Sequence, residues 1–332
     1  MLVLRFYEAL APLLVTGNSS TISRLFSRYL SSSVHLTAWY TDPGGPFDPA
    51  SRAYRSLKIV RGLHLQIGPA MNRMTGGLAS VDHSNEFSSG DLWISQWSMM
   101  QAQFSFIGLM AVFPKEVNED FFVLITFYQQ VYQLGFSKLT TYDRHCLLHL
   151  WRVFGYCLGV EDRFNLCSAE SYEETAELCR QIYYEEWLPK ILKKEETEET
   201  GRAMGEGIAQ AMSAVLPGVS RYRAIMRFAA PIFGLPKEED YELRGFLDYL
   251  AYALIWFTVR LSSRSVIASW TLCRLFYVFN RLAIWCRRFH EWTLEKRYPE
   301  TKVNYQTDSR CPLQFIARES FNYRAAWEHR LT

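Results

Sequence analysis

His64 stands three residues after Arg61 in the run Ile59-Val60-Arg61-Gly62-Leu63-His64-Leu65, the arrangement in this chain best suited to holding a metal-bearing cofactor. On a helix that spacing puts both side chains at neighbouring positions of one face. An imidazole on an apolar helix wall, with a guanidinium one turn away, offers a haem iron an axial ligand and its propionates a cation. Taken alone the pattern decides little, because a single histidine on an apolar helix is more often a hydrogen-bonded core residue. His145 and His149 are spaced i, i+4 and could meet on one metal ion. No glutamate stands between them in the H-E-x-x-H manner, so the metal reading is the weaker one. His35 follows Arg28 by two helical turns, and packing at a helix surface is its ordinary role.

The seven cysteines all lie from Cys146 onward and form no C-x-x-C pair. An odd count, with Cys157 inside an apolar run, predicts reduced core thiols rather than a disulfide framework or a zinc site. Cys157 as a thiolate ligand lacks any supporting loop motif. The chain has 36 basic against 34 acidic residues, a net charge of +2, and no basic arm, so nothing in it points to nucleic acid. With hydrophobic residues at 49%, disorder is excluded as the dominant state. The first residues, MLVLRFYEALAPLLVTG, carry Arg5 and Glu8 and end in a turn instead of a small-residue cleavage site. They read as the end of a helix in an intracellular protein, with room upstream for a segment such as a membrane anchor.

Helical periodicity dominates, which predicts an all-α multi-helix bundle. Asn18-Ser19-Ser20-Thr21 is a cap-rich start for ISRLFSRYLSSSVHLTAWY, and Thr41–Pro46 is a loop. Asp48 is expected to cap the next helix, with Pro49 at its first position and Gly68-Pro69 disturbing it. DLWISQWSMMQAQFSFIGLMAVF is long enough to cross a bilayer, but Gln96, Gln101 and Gln103 near its centre make it a buried core helix. Further helices are expected in NEDFFVLITFYQQVYQLG, DRHCLLHLWRVFGYCLG, EETAELCRQIYYEEWLPKILKK and near 205–217, with KKEETEET a solvated turn. Two long helices are expected at 241–262 and 264–297, then a polar, irregular tail over 298–332. The expected division is therefore 1–235, 241–297 and 298–332.

The C-terminal helices carry Arg260, Arg274, Arg281 and Arg288 in one heptad phase, flanked by Trp256, Trp270 and Trp285. Two readings stay open. The arginines could edge helices packed on the core, or lay a basic-faced amphipathic surface on an anionic membrane.

Arg61-x-x-His64, a central buried helix, and then Leu150-Trp151-Arg152-Val153-Phe154-Gly155-Tyr156-Cys157-Leu158-Gly159-Val160-Glu161 together resemble the rubber oxygenase (latex clearing protein) catalytic-domain family. That family also includes the fungal membrane-bound oxygenase of mycophenolic acid biosynthesis. The likeness runs from about Gly17 to about Leu235. It implies a globin-like haem-binding core, haem b as cofactor, and an oxygenase that acts with O2 on a small apolar, isoprenoid or lipid-like substrate. It also implies His64 as the iron ligand and Arg61 as part of the haem environment, and it fits a chain associated with an internal membrane such as the endoplasmic reticulum. The family's distal Arg-x-x-Lys-Thr motif falls on Arg28-Tyr29-Leu30-Ser31-Ser32, which assigns catalytic roles to Arg28 and Ser32. The departures are Ser31 for the lysine, Ser32 for the threonine, and Gly68 for the second arginine after the histidine. Glu8 is the one carboxylate near the family's upstream acid. Arg152 and Glu161 suit an ion pair or a helix-end contact. Rubber is a poor candidate substrate, and a non-catalytic protein that keeps the fold is the alternative.

Overall fold

Thr21 opens the first helix by accepting the Arg24 N–H at 3.2 Å, which satisfies one of the free donors of the first turn. The helix, α1 (Ile22–Thr41), ends at the Asp42-Pro43-Gly44-Gly45 turn. Asp42 then organises the connection: its carboxylate accepts from Gly44 N at 3.0 Å and from Arg52 N at 3.0 Å. These backbone donors, with the Arg52 guanidinium, hold the Asp42 carboxyl below the usual carboxylate range.

The second helix, α2 (Arg52–Thr75), begins later than Asp48 predicts. Ser51 is its cap, its hydroxyl accepting Tyr54 N at 2.9 Å, while Asp48 closes the preceding turn by accepting Ala50 N at 2.9 Å. Nor does Gly68-Pro69 interrupt it; α2 continues through Pro69 to Thr75. A proline ring crowds the carbonyl four residues back and the residue just before it. Here Gly68 has no Cβ to clash, and Leu65 lies on the exposed face, where solvent can take its carbonyl.

This computed structural model describes residues 19–75, 94–113, 141–192, 197–215, 220–235 and 241–298, and among them the regular structure is helical with no strand. The protein is all-α. The central helix α3 runs as Gln96–Gln103, a π-helical Phe104–Gly108 and Leu109–Val112. After it come α4 (Thr141–Leu158), α5 (Tyr172–Gln181, a π-helical Ile182–Trp187, then Leu188–Leu192), α6 (Thr197–Met212) and α7 (Tyr222–Ile232). The helix expected within 118–135 lies outside the described residues, as does the tail beyond Tyr298. Part of the charged run expected to be a turn is instead the first turn of α6.

The C-terminal region forms α8 (Phe246–Arg264), α9 (Val266–Trp285) and α10 (Arg287–Arg297), so the single helix expected over 264–297 is two, parted at Cys286. Ser265 ends α8 in extended conformation and caps α9, accepting Ala268 N at 3.2 Å.

Apolar cores hold these helices, two of them the main ones among the described residues. The larger joins Trp39 and Leu57 to Phe104, Trp151, Phe154 and Trp187; the Phe104 and Trp187 rings, 4.4 Å apart, link the two π-helical stretches. The second packs Ile22, Leu25 and Phe26 of α1 against Met204 and Ile208 of α6 and Leu294 of α10. The Ser23 hydroxyl donates to Glu295 at 3.2 Å, and Phe26 meets His290 with ring centres 5.6 Å apart. The α10 helix therefore shares a core with the N-terminal helix. Among the described residues no helix is long and apolar enough to cross a membrane.

Candidate functional site on helices α1 and α2

Helix α2 buries Ala53, Ser56, Leu57, Gly68 and Met71 along one face, and Val60 and His64 continue that line at helical spacing. The His64 Nδ1 is buried and has no hydrogen-bond partner among the described residues. Burial lowers its pKa from 6.5 to about 4, so the ring is neutral at pH 7, the form that binds a metal.

The facing helix is α1. Trp39 Nε1 donates to the Ser56 hydroxyl at 2.7 Å, and the same hydroxyl is hydrogen-bonded to His35 Nδ1, also at 2.7 Å. Burial lowers the His35 pKa to about 4 as well. Asp42 meeting Arg52 while His35 meets Ser56 shows that the helices run antiparallel. Ser31 precedes His35 by one turn of α1; its hydroxyl is buried and has no hydrogen-bond partner among the described residues.

The remaining sequence candidates fall elsewhere. Ser32 is exposed, and its hydroxyl donates back to the Arg28 carbonyl at 3.2 Å. Arg28 donates to the Ser19 hydroxyl at the start of α1. Arg61 is exposed, and its Nη1 reaches the Cys157 carbonyl at 3.5 Å, at the carboxyl end of α4. His145 and His149 are exposed on α4, and no group of three metal-binding side chains occurs among the described residues. The described cysteines 146, 157, 167, 179 and 286 are free thiols, with burial pushing Cys179 up to about 12.

The Leu150–Glu161 string has a structural account at Trp151, Phe154, both glycines and Glu161. Trp151 and Phe154 are core. Gly155 lets two amides lie against the helix: a Cβ there would stand 2.8 Å from Asn165 Nδ2 and 2.9 Å from Gln103 Nε2. Gln103 Nε2 donates to the Trp151 carbonyl at 3.0 Å and to Asn165 Oδ1 at 2.8 Å, and its Oε1 accepts Leu166 N at 3.0 Å. Asn165 Nδ2 completes the network at the Arg152 carbonyl, 3.0 Å away. Gly159, with φ of 95°, ends α4 in a Schellman turn, in which Val160 N bonds to the Gly155 carbonyl at 2.9 Å and Gly159 N to that of Tyr156 at 3.0 Å. Glu161 pairs at the surface with Arg163 at 2.8 Å. Sequence reasoning missed Ser56 and this amide network, and named Ser31 only as a departure from the distal motif; only the glutamines in an apolar helix signalled the network.

No family model, no curated protein and no solved structure matches this chain. The family resemblance therefore rests on the motif residues themselves.

The fit of a haem can be judged from those residues. A neutral imidazole with a buried nitrogen that has no partner among the described residues suits an iron ligand. Arg61 uses its Nη1 at the Cys157 carbonyl, and its guanidinium is otherwise exposed.

Proposed function

We propose that this chain binds haem b through His64 and is an oxygenase-type oxidoreductase for a small apolar, isoprenoid or lipid-like substrate. The observation that carries the reading is a pair of buried polar atoms without hydrogen-bond partners among the described residues, His64 Nδ1 and Ser31 Oγ, on the packed helices α2 and α1. These are the two positions that the resemblance gives to opposite sides of the haem. Leaving both unsatisfied costs about 1–3 kcal/mol apiece, a cost that a bound group would offset.

When bound, the haem supplies the redox and O2 chemistry. His64 holds the iron as a neutral ligand. Arg61 is a positioning residue that fastens α2, three residues before His64, to the end of α4. Of the two distal serines, Ser31 is buried and Ser32 is exposed, so Ser31 offers the shielded hydroxyl, with Arg28 one turn away along the chain.

A second reading keeps the haem and drops the catalysis. The exposure of Ser32 and the short Ser31 in the lysine position favour it. Reconstitution with haem b separates the two. A Soret band with O2 uptake on adding an apolar alkene supports the oxygenase, a Soret band without uptake supports the binding protein, and no band at all refutes both.

A further inference from the structure

The α8 helix is apolar on two opposite sides. Its inner line, Ala251, Ile255 and Val259 with Asp248, is buried against α7. Half a turn round, Phe246, Leu250, Leu254, Phe257 and Leu261 are exposed at the same three-and-four spacing. A surface helix of a water-soluble protein carries polar residues there. The pattern continues on α9, where Leu275, Val278, Phe279, Leu282 and Trp285 form an exposed stripe, with Trp285 83% exposed. Phe289 and Trp292 carry the line past the break at Cys286 onto α10. Most of the large apolar side chains left in solvent among the described residues lie in these three helices. A patch of that extent marks an interaction surface.

The charges on this face have one sign. From Phe246 to Arg297 the sequence holds three carboxylates, Asp248, Glu291 and Glu295, and each bonds to the body of the protein. Asp248 accepts from Arg221 and from Arg244 N, Glu291 from Ser27, and Glu295 from Ser23. Arg274, Arg281 and Arg288 recur every seventh residue beside the apolar stripe, and all three are exposed. The Arg260 guanidinium lies 4.6 Å from the Trp256 ring centre, and Lys296 Nζ lies 4.0 Å from that of Trp292.

We infer that the outward face of α8, α9 and α10 docks in the plane of an anionic membrane. Apolar side chains enter the headgroup boundary, tryptophans sit at its level, and the arginines and Lys296 meet lipid phosphates. A second copy is the poorer occupant, because a symmetric pairing would set arginine rows against each other without carboxylates to neutralise them. Spanning is excluded for these helices, none being long and apolar enough. The inference does not depend on haem.

The test is sedimentation of the full chain with vesicles of phosphatidylcholine alone and of phosphatidylcholine mixed with phosphatidylserine, at low and high salt. Binding is expected to the mixed vesicles and to weaken with salt. The variant Arg281→Gln, Arg288→Gln, Lys296→Gln should lower the partition coefficient about 100-fold, at roughly one surface charge's worth per residue. The variant Phe257→Ser, Trp285→Ser, Phe289→Ser should lose binding while keeping its helical circular dichroism. Wild-type protein that stays in the supernatant overturns the proposal. So does undiminished binding by the charge variant, or a concentration-dependent dimer that the apolar variant turns into monomer.

Discussion

The guanidinium of Arg61 on α2 reaches the main-chain carbonyl of Cys157 at the carboxyl end of α4, 3.5 Å away. Two sequence motifs that lie far apart along the chain, R-x-x-H and the Leu150–Glu161 string, thus meet at one helix end. A cation there complements the free carbonyls and the negative end of the helix dipole. The meeting gives Arg61 a role that needs no cofactor.

Arg61→Gln is accordingly expected to cost stability and little else. The contact is exposed and long, so the loss in chemical denaturation should be about 0.5–1 kcal/mol. Haem uptake by the variant should equal that of the wild type. A variant that folds as stably as the wild type but takes up no haem would return Arg61 to the cofactor.

Gly155 makes a sharper test of the fold. Gly155→Ala places a methyl 2.8 Å from Asn165 Nδ2 and 2.9 Å from Gln103 Nε2, inside a network whose hydrogen bonds are all made. Strain and unpaired amides together should cost about 2–3 kcal/mol in thermal or urea unfolding. Gly62→Ala, also on a helix but with nothing within 4 Å of its Cβ, should be neutral or stabilising. Equal effects at the two glycines would mean that the amide network is not where it is described.

The buried histidines set the acid sensitivity. His35 and His64 both have folded pKa values lowered from 6.5 to about 4. Between those two values the unfolded chain binds the protons and the folded one does not. Stability from these groups is therefore full above pH 6.5, falls as the pH drops towards 4, and changes no further below that. The expected loss is on the order of 1–3 kcal/mol per histidine. His35→Leu should flatten part of this slope, at the cost of about 1 kcal/mol at neutral pH for the lost Ser56 bond. Unfolding curves from pH 4 to 7 on both proteins measure it, and an unchanged slope would contradict the account.

How far the sequence could be read differs between fold and site. Caps and periodicity are local, so Thr21 as a helix start and the helices α4 and α5 were legible. Asp48 misled because Ser51, three residues on, offers the same chemistry with its hydroxyl on the Tyr54 N–H. Pro69 misled because its cost depends on Gly68 and on the outward-facing Leu65, which is a matter of tertiary placement. The break at Cys286 carries no glycine or proline to announce it. At the site, residue types named His64 but could not show that its Nδ1 finds no partner among the described residues, nor that Ser31 is buried while Ser32 is exposed. Those depend on which way two helices turn toward each other. The Leu150–Glu161 string was read as a family mark, and the structure accounts for its glycines by packing and helix termination.

The central claim is that His64 holds a haem iron, and the most direct measurement is haem stoichiometry by absorption spectroscopy in wild type and His64→Ala. The account predicts a Soret band with one haem per wild-type chain, its loss in His64→Ala, and its retention in His145→Ala and His149→Ala. Full occupancy in the His64 variant, or no haem uptake by the wild type, would contradict it.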